Sequence, residues 1–288
     1  MQIGVVYPQI ELGGDPGAVR RLGKAVEDLG FDYLLAYDHV LGAVHADRTP
    51  QLSGPYTELD PFHDPFVLFG YLAGITERIG FATGVLVLPQ RQTALVARQA
   101  ADVDLLCGGR LRLGVGVGWN HVEYEALGQD FRTRGARQEE QIELLRRLFT
   151  EPVVDFSGRF DRIDRAALLP KPTRSIPIWL GGFGERAFDR AARLGDGFIF
   201  FGAVGIDQAV DAWKSLRERV SELGRPVEEF GAEYVALSHG VDALTAETEI
   251  WRAAGGTHLS VATMGFGLDS VDAHIDYIAE VAGALGLS

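Results

Sequence analysis

Two adjacent polar residues, Asp38 and His39, follow a short apolar run and could carry acid–base chemistry. An imidazole can donate a hydrogen bond or exchange a proton near neutral pH. Adjacent residues at a strand end point to opposite sides, so one can face a site while the other braces a loop. We predict that His39 transfers a proton and that Asp38 either orients it or hydrogen-bonds a bound ligand; the alternative is a histidine held by the backbone. Glu11, after the first apolar run, is a second acid–base candidate.

A glycine-rich turn, Gly181-Gly182-Phe183-Gly184, separates an apolar run from an amphipathic stretch that begins at Glu185. Glycines in this position let backbone N–H groups point at an anion, and the dipole of the following helix favours negative charge. Arg186 would place a positive charge next to the positive end of that dipole, which is unfavourable by itself. A guanidinium that binds an anionic ligand would account for its position. The turn has no side-chain hydroxyl, so it predicts a phosphate site built from backbone amides.

Glycines also interrupt two apolar runs. Gly84 lies inside one of them, where a glycine marks a bulge, a close approach by a ligand, or simply a twist of the strand. Gly114, Gly116 and Gly118 alternate with valines before Trp119. This period of two differs from the G-x-G-x-x-G turn of dinucleotide-binding folds. It predicts a bare strand face with room for a flat ring system, or a fit to the taper of a barrel.

The seven histidines are scattered and form no metal-binding pattern. No H-E-x-x-H motif, cysteine cluster, P-loop or G-x-S-x-G motif occurs, so we predict no metal site. We expect His45, His63 and His121 to be available for substrate contact, and His239 as a further possibility, whereas His274 is expected at the surface.

The elements that must position these residues alternate in a regular way. Eight short apolar runs are each followed by an amphipathic stretch of helical period, which is typical of a (β/α)8 TIM barrel in one domain, 1–288. The active sites of this fold lie where the strands end. The inserted segment, Leu41–Asp64, has no periodicity, and Val153–Phe160 predicts a hairpin turning at Ser157-Gly158. The predicted strands are Gln2–Tyr7, Asp32–Ala36, Ile79–Leu86, Leu111–Val117, Ile176–Leu180, Gly197–Phe201, Ala232–Leu237 and His258–Ala262. The predicted helices are Pro16–Leu29, Pro65–Thr76, Ala94–Leu106, Thr133–Phe149, Glu185–Leu194, Asp207–Leu223, Ala243–Ala253 and Ser270–Leu285.

Composition narrows the classes of partner. The 288 residues are 47% hydrophobic and carry a net charge of −13, with no basic run, so we expect no nucleic-acid binding. No apolar stretch is long enough to span a membrane, and the first residues do not resemble a signal peptide. The single cysteine, Cys107, allows no internal disulfide, which fits a cytoplasmic protein.

Together these segments resemble the luciferase-like monooxygenase superfamily, and within it the branch that uses the deazaflavin F420. The resemblance covers nearly the whole chain and is closest over Ile79–Leu148. It implies a barrel with inserted loops, usually a homodimer, that binds a flavin-like ring at the strand ends. The motifs that carry it are Thr83–Pro89, Gly108–Trp119, Glu125–Gly128, Arg134-Gly135, Leu169–Pro172, Gly181-Gly182 and Ala191–Gly197.

The resemblance also assigns roles to residues. It places Asp38 and His39 near the deazaflavin and makes Gly84-Val85 a bulge, often a non-prolyl cis peptide, behind the ring. Related enzymes often carry serine where Gly184 stands, and the sugar-phosphate dehydrogenases have a carboxylate where Trp119 stands, so their substrate is not carried over. The residues implied in cofactor binding are Asp38, Thr83, Gly84, Val85, Gly116, Gly118, Trp119, Gly181, Gly182, Phe183, Gly184 and Arg186.

The resulting hypothesis is an F420-dependent oxidoreductase that transfers a hydride between the deazaflavin and a small organic substrate beneath the inserted segment. His39 would exchange a proton or polarise the ring. One alternative is an FMN-dependent monooxygenase supplied by a partner reductase, and another is a flavin-binding protein without turnover. A metal-dependent barrel hydrolase is more distant. The substrate and the direction of hydride transfer stay open.

Overall fold

Eight parallel strand positions close into a barrel in the computed structural model, which describes residues 1–287. The sheet runs β3-β2-β1-β11-β10-β9-β8-β5-β4, and β3 also pairs with β5, which closes the ring. The predicted (β/α)8 TIM barrel is therefore confirmed. The strands are β1 Gln2–Val6, β2 Tyr33–Ala36, β3 Gly80–Thr83, β4 Leu86–Val87, β5 Leu111–Gly116, β6 Val154–Ser157, β7 Arg162–Ala166, β8 Ile178–Gly181, β9 Gly197–Phe201, β10 Gly231–Ala236 and β11 His258–Val261.

The helices around the barrel begin at residues that the sequence marks clearly. Asp15 and Asp64 each accept backbone N–H bonds at a helix start and are followed by proline at the first helical position. No helix within residues 1–287 is long and apolar enough to cross a membrane. The helices are α1 Pro16–Asp28, α2 Pro65–Ala73, α3 Thr93–Leu106, α4 His121–Ala126, α5 Arg134–Thr150, α6 Glu185–Leu194, α7 Ile206–Glu222, α8 Val241–Ala253 and α9 Val271–Leu285.

The third strand is broken, whereas the sequence predicted one strand over Ile79–Leu86. β3 ends at Thr83, the Gly84-Val85 peptide bond is cis, and β4 then resumes beside β5. The bulge expected at Gly84-Val85 is thus present. It turns the chain at the end of the barrel where the strands finish, which we call the mouth.

Two further local predictions need correction. The sequence pattern predicts no helix between Val117 and Thr133, but α4 lies there, and its first turn is capped by the side chain of Asn120. The hairpin of β6 and β7 turns over 158–161 rather than at Ser157-Gly158. The reason is that the Glu140 carboxylate accepts the N–H groups of Arg159, Phe160 and Asp161 and holds the turn there.

His274 is fully buried, so the prediction that it lies at the surface is wrong. Its Nδ1 lies 2.8 Å from the hydroxyl of Thr263, and burial lowers the pKa of the imidazole. The spacing of Val271, His274 and Ile278 places the ring on the stripe of α9 that packs against the barrel. The histidine therefore ties α9 to the loop after β11.

A buried ion pair fills the opposite end of the barrel from the mouth. Arg112 Nη1, near the start of β5, lies 2.7 Å from Oε2 of Glu233 on β10, with side chains 11% and 0% exposed. The guanidinium lies between the rings of Tyr33 and Trp179, at 4.8 and 4.1 Å from their centroids. Ser260 and Tyr33 donate their hydroxyl hydrogens to Glu233 Oε1. The opposite charge, the two aromatic rings and the hydroxyl donors stabilise the charges where water is excluded, although within residues 1–287 Arg112 Nη2 has no hydrogen-bond partner.

Candidate active site

Asp38, at the end of β2, is buried and braces the bulged strand. Its carboxylate accepts the N–H of Val87 at 2.9 Å and a guanidinium hydrogen bond from Arg91 at 2.6 Å. Burial raises the pKa of the Asp38 carboxyl, and the charge of Arg91 opposes that rise. Arg91 also binds Asp64 at 2.9 Å, which links β2 and β4 to the start of α2. Both oxygens of Asp38 are thus engaged by the protein itself.

His39 turns the other way, into the mouth. Three aromatic rings enclose it edge-on, with centroids 4.9 Å away for Phe62, 5.3 Å for Tyr56 and 5.5 Å for Trp119. The side chain is 10% exposed, and its Nδ1 lies 3.0 Å from Oε2 of Glu123. The prediction that Asp38 orients His39 is therefore wrong, because Glu123 is the carboxylate in contact with the ring.

Glu123 is a functional residue that the sequence reasoning missed. It lies in the first turn of α4, only 1% of its side chain is exposed, and its Oε1 accepts the N–H groups of Val40 and Leu41 at 2.6 and 3.1 Å. The available signal was the Asn120-x-x-Glu123 spacing, which resembles a helix-capping pattern. Asn120 does cap the helix, accepting N–H bonds from Val122 and Glu123. The structure thereby joins His39 to the start of the inserted segment.

Glu11 also lies at the mouth, in the loop after β1. Its Oε1 accepts the N–H of Gly265 at 2.5 Å, while its Oε2 is buried without a hydrogen-bond partner within residues 1–287. Burial raises the pKa of this carboxyl, and the Gly265 hydrogen bond only partly opposes the rise. Burial also raises the pKa of Tyr56, and the nearby charges of Asp60 and Glu11 add to that effect. Glu11 keeps its place as an acid–base candidate.

The raised pKa of Glu11 gives a pH-dependent stability effect with a definite sign. Because the folded protein holds this proton more tightly than the unfolded chain, the contribution of Glu11 to stability is lost as pH rises through the folded pKa. We expect Glu11→Gln to raise the melting temperature more at about pH 7.5 than at about pH 4.5. Thermal melts of both proteins at the two pH values measure this; an equal difference at both would contradict it.

The alternating glycines do not leave open space beside the mouth. A Cβ on Gly114 would collide with the carbonyl of Thr83, and one on Gly116 or Gly181 would collide with the side chain of Val85. The prediction that this face makes room for a flat ring is therefore wrong at Gly114 and Gly116, because Thr83 and Val85 already fill the space there. Val85 itself stays partly exposed, so the bulge is what offers an apolar surface at the mouth.

Trp119 forms the floor beneath the inserted segment. Gly118 precedes it with φ 64°, a conformation that favours glycine, and a side chain there would meet Val87. The indole packs edge-on against His45 at 6.0 Å and lies so close to Gly54 that only glycine fits. Trp119 thus contacts His39 on one side and the inserted segment on the other.

The predicted phosphate loop is open. Gly184 has φ 77° and caps α6 without any side-chain hydrogen bond, and apart from Gly184 and its two chain neighbours no heavy atom lies within 4 Å of where its Cβ would be. Within residues 1–287 the N–H groups of Phe183, Gly184 and Glu185 have no hydrogen-bond partner, and the first helical bond reaches back from Ala187. Arg186 is exposed and makes no ion pair within the same range. Unpaired amides at a helix start are suited to an anion.

Four other histidines lie in segments that follow the barrel strands. His45 and His63 border the mouth, where His45 Nε2 lies 3.0 Å from the carbonyl of Tyr56 and His63 packs against Tyr7. His121 packs against Phe131, and His239 stacks on Phe266 at 3.8 Å.

The remaining lining of the mouth is apolar. Partly buried side chains pack around a second apolar cluster inside the barrel, which is separate from the core between barrel and helices. Within residues 1–287 no group of three or more histidine, cysteine, aspartate or glutamate side chains could hold a metal ion. The partly buried apolar side chains at this cluster are Tyr56, Phe62, Val85, Phe201, Leu237 and Met264.

Comparison with known proteins agrees with this geometry. The sequence model of a family described as luciferase-like monooxygenase matches residues 2–276. A protein of Mycobacterium tuberculosis with no stated activity is 36% identical, over 70% of this chain and 72% of its own length.

Relatives with stated activities use two different cofactors. An F420-dependent glucose-6-phosphate dehydrogenase of Nakamurella multipartita is 28% identical, over 74% of this chain and 61% of its own length. An FMNH2-dependent dimethylsulfone monooxygenase of Pseudomonas fluorescens is 31% identical, over 72% of this chain and 55% of its own length. The comparison therefore leaves the choice of cofactor open.

A solved structure shows the same fold over almost the whole chain. It is an F420-dependent secondary alcohol dehydrogenase in complex with an F420–acetone adduct, with a TM-score of 0.80 and 18% sequence identity. The alignment covers 99% of this chain and 98% of that one. At this identity the likeness concerns the fold.

Proposed function

Because this chain belongs to the luciferase-like monooxygenase family, we propose that it is an oxidoreductase that uses F420 and exchanges a hydride with a small organic substrate. The observation that carries the proposal is the position of His39. A side chain that can exchange a proton lies at the mouth and is enclosed by aromatic rings. The neighbouring residue, Asp38, braces the bulged strand by accepting the N–H of Val87. F420 relatives such as the glucose-6-phosphate dehydrogenase support the choice of deazaflavin.

The residues present fit such a cofactor. When bound, F420 supplies hydride transfer at its C5 atom. The unpaired N–H groups of Phe183, Gly184 and Glu185 would hold its phosphate, with Arg186 beside them. Val85 offers the partly exposed apolar surface against which a flat ring would lie.

The protein's own side chains supply the rest of the chemistry. Hydride addition to a substrate carbonyl consumes one proton, and the reverse oxidation releases one. His39 is placed to give up or take back that proton. The aromatic rings of Tyr56 and Phe62, which come from the inserted segment, keep water away from the same place.

An FMN-dependent monooxygenase is the second candidate, supported by the FMNH2-dependent relative. The phosphate loop suits FMN equally well, because an amide cradle recognises the phosphate and not the ring. In that case a partner reductase would deliver reduced FMN. A flavin-binding protein without turnover would bind a cofactor and show no substrate-dependent oxidation.

Direct titration tests the proposal. Purified protein is titrated with F420 and with FMN, each oxidised and reduced, and binding is followed by cofactor fluorescence or calorimetry. We expect micromolar or tighter affinity for F420 and much weaker affinity for FMN. A preference for FMN would replace the proposal by the monooxygenase, and binding of neither would reject both functions.

Arg186 gives a more specific prediction for the phosphate loop. We expect Arg186→Gln to weaken cofactor binding about two- to fivefold, the size of one charge interaction near a helix end. The effect should shrink at high salt because the site is exposed. Arg193→Gln, in the last turn of the same helix, is the matched control and should leave affinity unchanged. Equal effects of the two substitutions would contradict a local role for Arg186.

A further inference from the structure

The carboxylate of Glu123 contacts two backbone N–H donors and the ring of His39, and this arrangement decides the state of His39. Oε1 accepts two backbone N–H groups, from Val40 and Leu41, which can only donate. Oε2 faces His39 Nδ1 at 3.0 Å. A buried carboxylate is costly unless its oxygens are hydrogen-bonded, and this one is 1% exposed. An unprotonated Oε2 can only accept, so Nδ1 must carry a hydrogen.

We infer that Glu123 is a positioning residue that fixes the neutral His39 as the Nδ1–H tautomer and thereby leaves Nε2 as the proton-exchanging atom at the mouth. Within residues 1–287 Nε2 has no hydrogen-bond partner, although the ring is nearly enclosed. The edges of Tyr56, Phe62 and Trp119 surround the ring and oppose a flip that would exchange the two nitrogens. The role of Nε2 in turnover rests on the proposed function, whereas the tautomer does not.

The same carboxylate also controls the cover of the site. Val40 and Leu41 lead into the inserted segment, which supplies Tyr56 and Phe62 against His39. A single side chain from α4 therefore sets the protonated nitrogen of His39 and anchors the chain that encloses it. Loss of the hydrogen bonds from Val40 and Leu41 to Glu123 would change substrate affinity. Loss of the Nδ1–H tautomer of His39 would change turnover.

Glu123→Gln separates these two roles. An amide has one accepting oxygen and one donating NH2 group. If the amide oxygen of the new glutamine keeps accepting the hydrogen bonds from Val40 and Leu41, its NH2 group faces Nδ1 of His39. Nδ1 must then accept a hydrogen bond. The hydrogen moves to Nε2, and the inserted segment stays anchored.

Nuclear magnetic resonance of protein with 15N-labelled histidine reads the tautomer directly through two-bond 1H–15N correlations. The sample needs no cofactor, and His39→Gln assigns the signal among the seven histidines. We expect the Nδ1–H tautomer for His39 in the natural protein and the Nε2–H tautomer in Glu123→Gln. Glu125→Gln, an exposed residue of the same helix, should leave the signal unchanged. An Nε2–H tautomer in the natural protein would overturn the inference without any variant.

Kinetics with the bound cofactor supply the second readout. An amide behind a catalytic histidine can lower turnover by up to about 10⁴ through the wrong tautomer. We expect Glu123→Gln to lower kcat by about 10²–10⁴, with KM, cofactor affinity and melting temperature close to those of the natural protein. An inverted tautomer with unchanged kcat would remove Nε2 from the reaction and leave the positioning role intact. A protein that binds no F420 would reject the proposed function, while the resonance result would still decide the tautomer.

Discussion

His39→Ala is expected to lower kcat by about 10²–10⁴, the usual contribution of a positioned acid–base group, while cofactor affinity changes little. The ring lies at the mouth beside the inserted segment, whereas the phosphate loop that would hold the cofactor lies between β8 and α6. Removal of the imidazole therefore deletes the proton-exchanging group and leaves the phosphate site intact. Steady-state kinetics and a parallel binding titration measure the two quantities.

His121→Ala is the matched control for this substitution. His121, at the start of α4, packs against Phe131, whereas the rings around His39 are Tyr56, Phe62 and Trp119. Even with the substrate contact expected for it, its loss should lower kcat far less than the loss of the proton-exchanging ring. Unchanged turnover in His39→Ala would remove His39 from the mechanism. A loss of cofactor affinity equal to the loss of kcat would instead assign the ring to cofactor binding.

The barrel was predictable because its signal is local and repeated. Each strand is an apolar run, each helix an amphipathic stretch, and eight such units leave few other folds. The break at Gly84 was only half predictable, since a glycine in a strand allows a bulge but does not fix where pairing resumes. The helix α4 was not predicted because its six residues are too few to show a helical period.

The site was predicted only where its residues are neighbours in the chain. Asp38 and His39 stand side by side after a strand, so their opposite orientations follow from strand geometry. Glu123 lies 84 positions from His39, and a glutamate in a polar stretch is ordinarily a solvated one. Nothing in the spacing of the chain shows that α4 carries it back to β2.

The wrong prediction for His274 could have been avoided from the sequence, whereas the one for the alternating glycines could not. The spacing of Val271, His274 and Ile278 marks a buried stripe, and a polar residue on it should have been expected inside. The alternating glycines do lack side chains on one strand face, as predicted, but that face is not open. The sequence could not show that Val85, in the bulge between β3 and β4, fills that face.

Arg112→Met is expected to lower the free energy of unfolding by about 3–5 kcal/mol, because it leaves a fully buried carboxylate without its cation. Glu233 keeps hydroxyl donors from Tyr33 and Ser260, but these do not neutralise its charge. Urea unfolding followed by circular dichroism measures the loss. Arg165→Met, in an exposed pair with Asp164, is the control and should cost less than about 1 kcal/mol.

The double variant Arg112→Met/Glu233→Leu distinguishes loss of a partner from loss of packing. If the cost comes from the unpaired charge, replacing both members with apolar side chains should recover most of the stability. If it comes from the contacts of the guanidinium with Tyr33 and Trp179, the double variant should stay as unstable as Arg112→Met. Because the pair lies at the end of the barrel opposite the mouth, both variants should keep the activity of the folded protein. A fall in kcat for the folded fraction would mean that this end of the barrel also sets the geometry around His39.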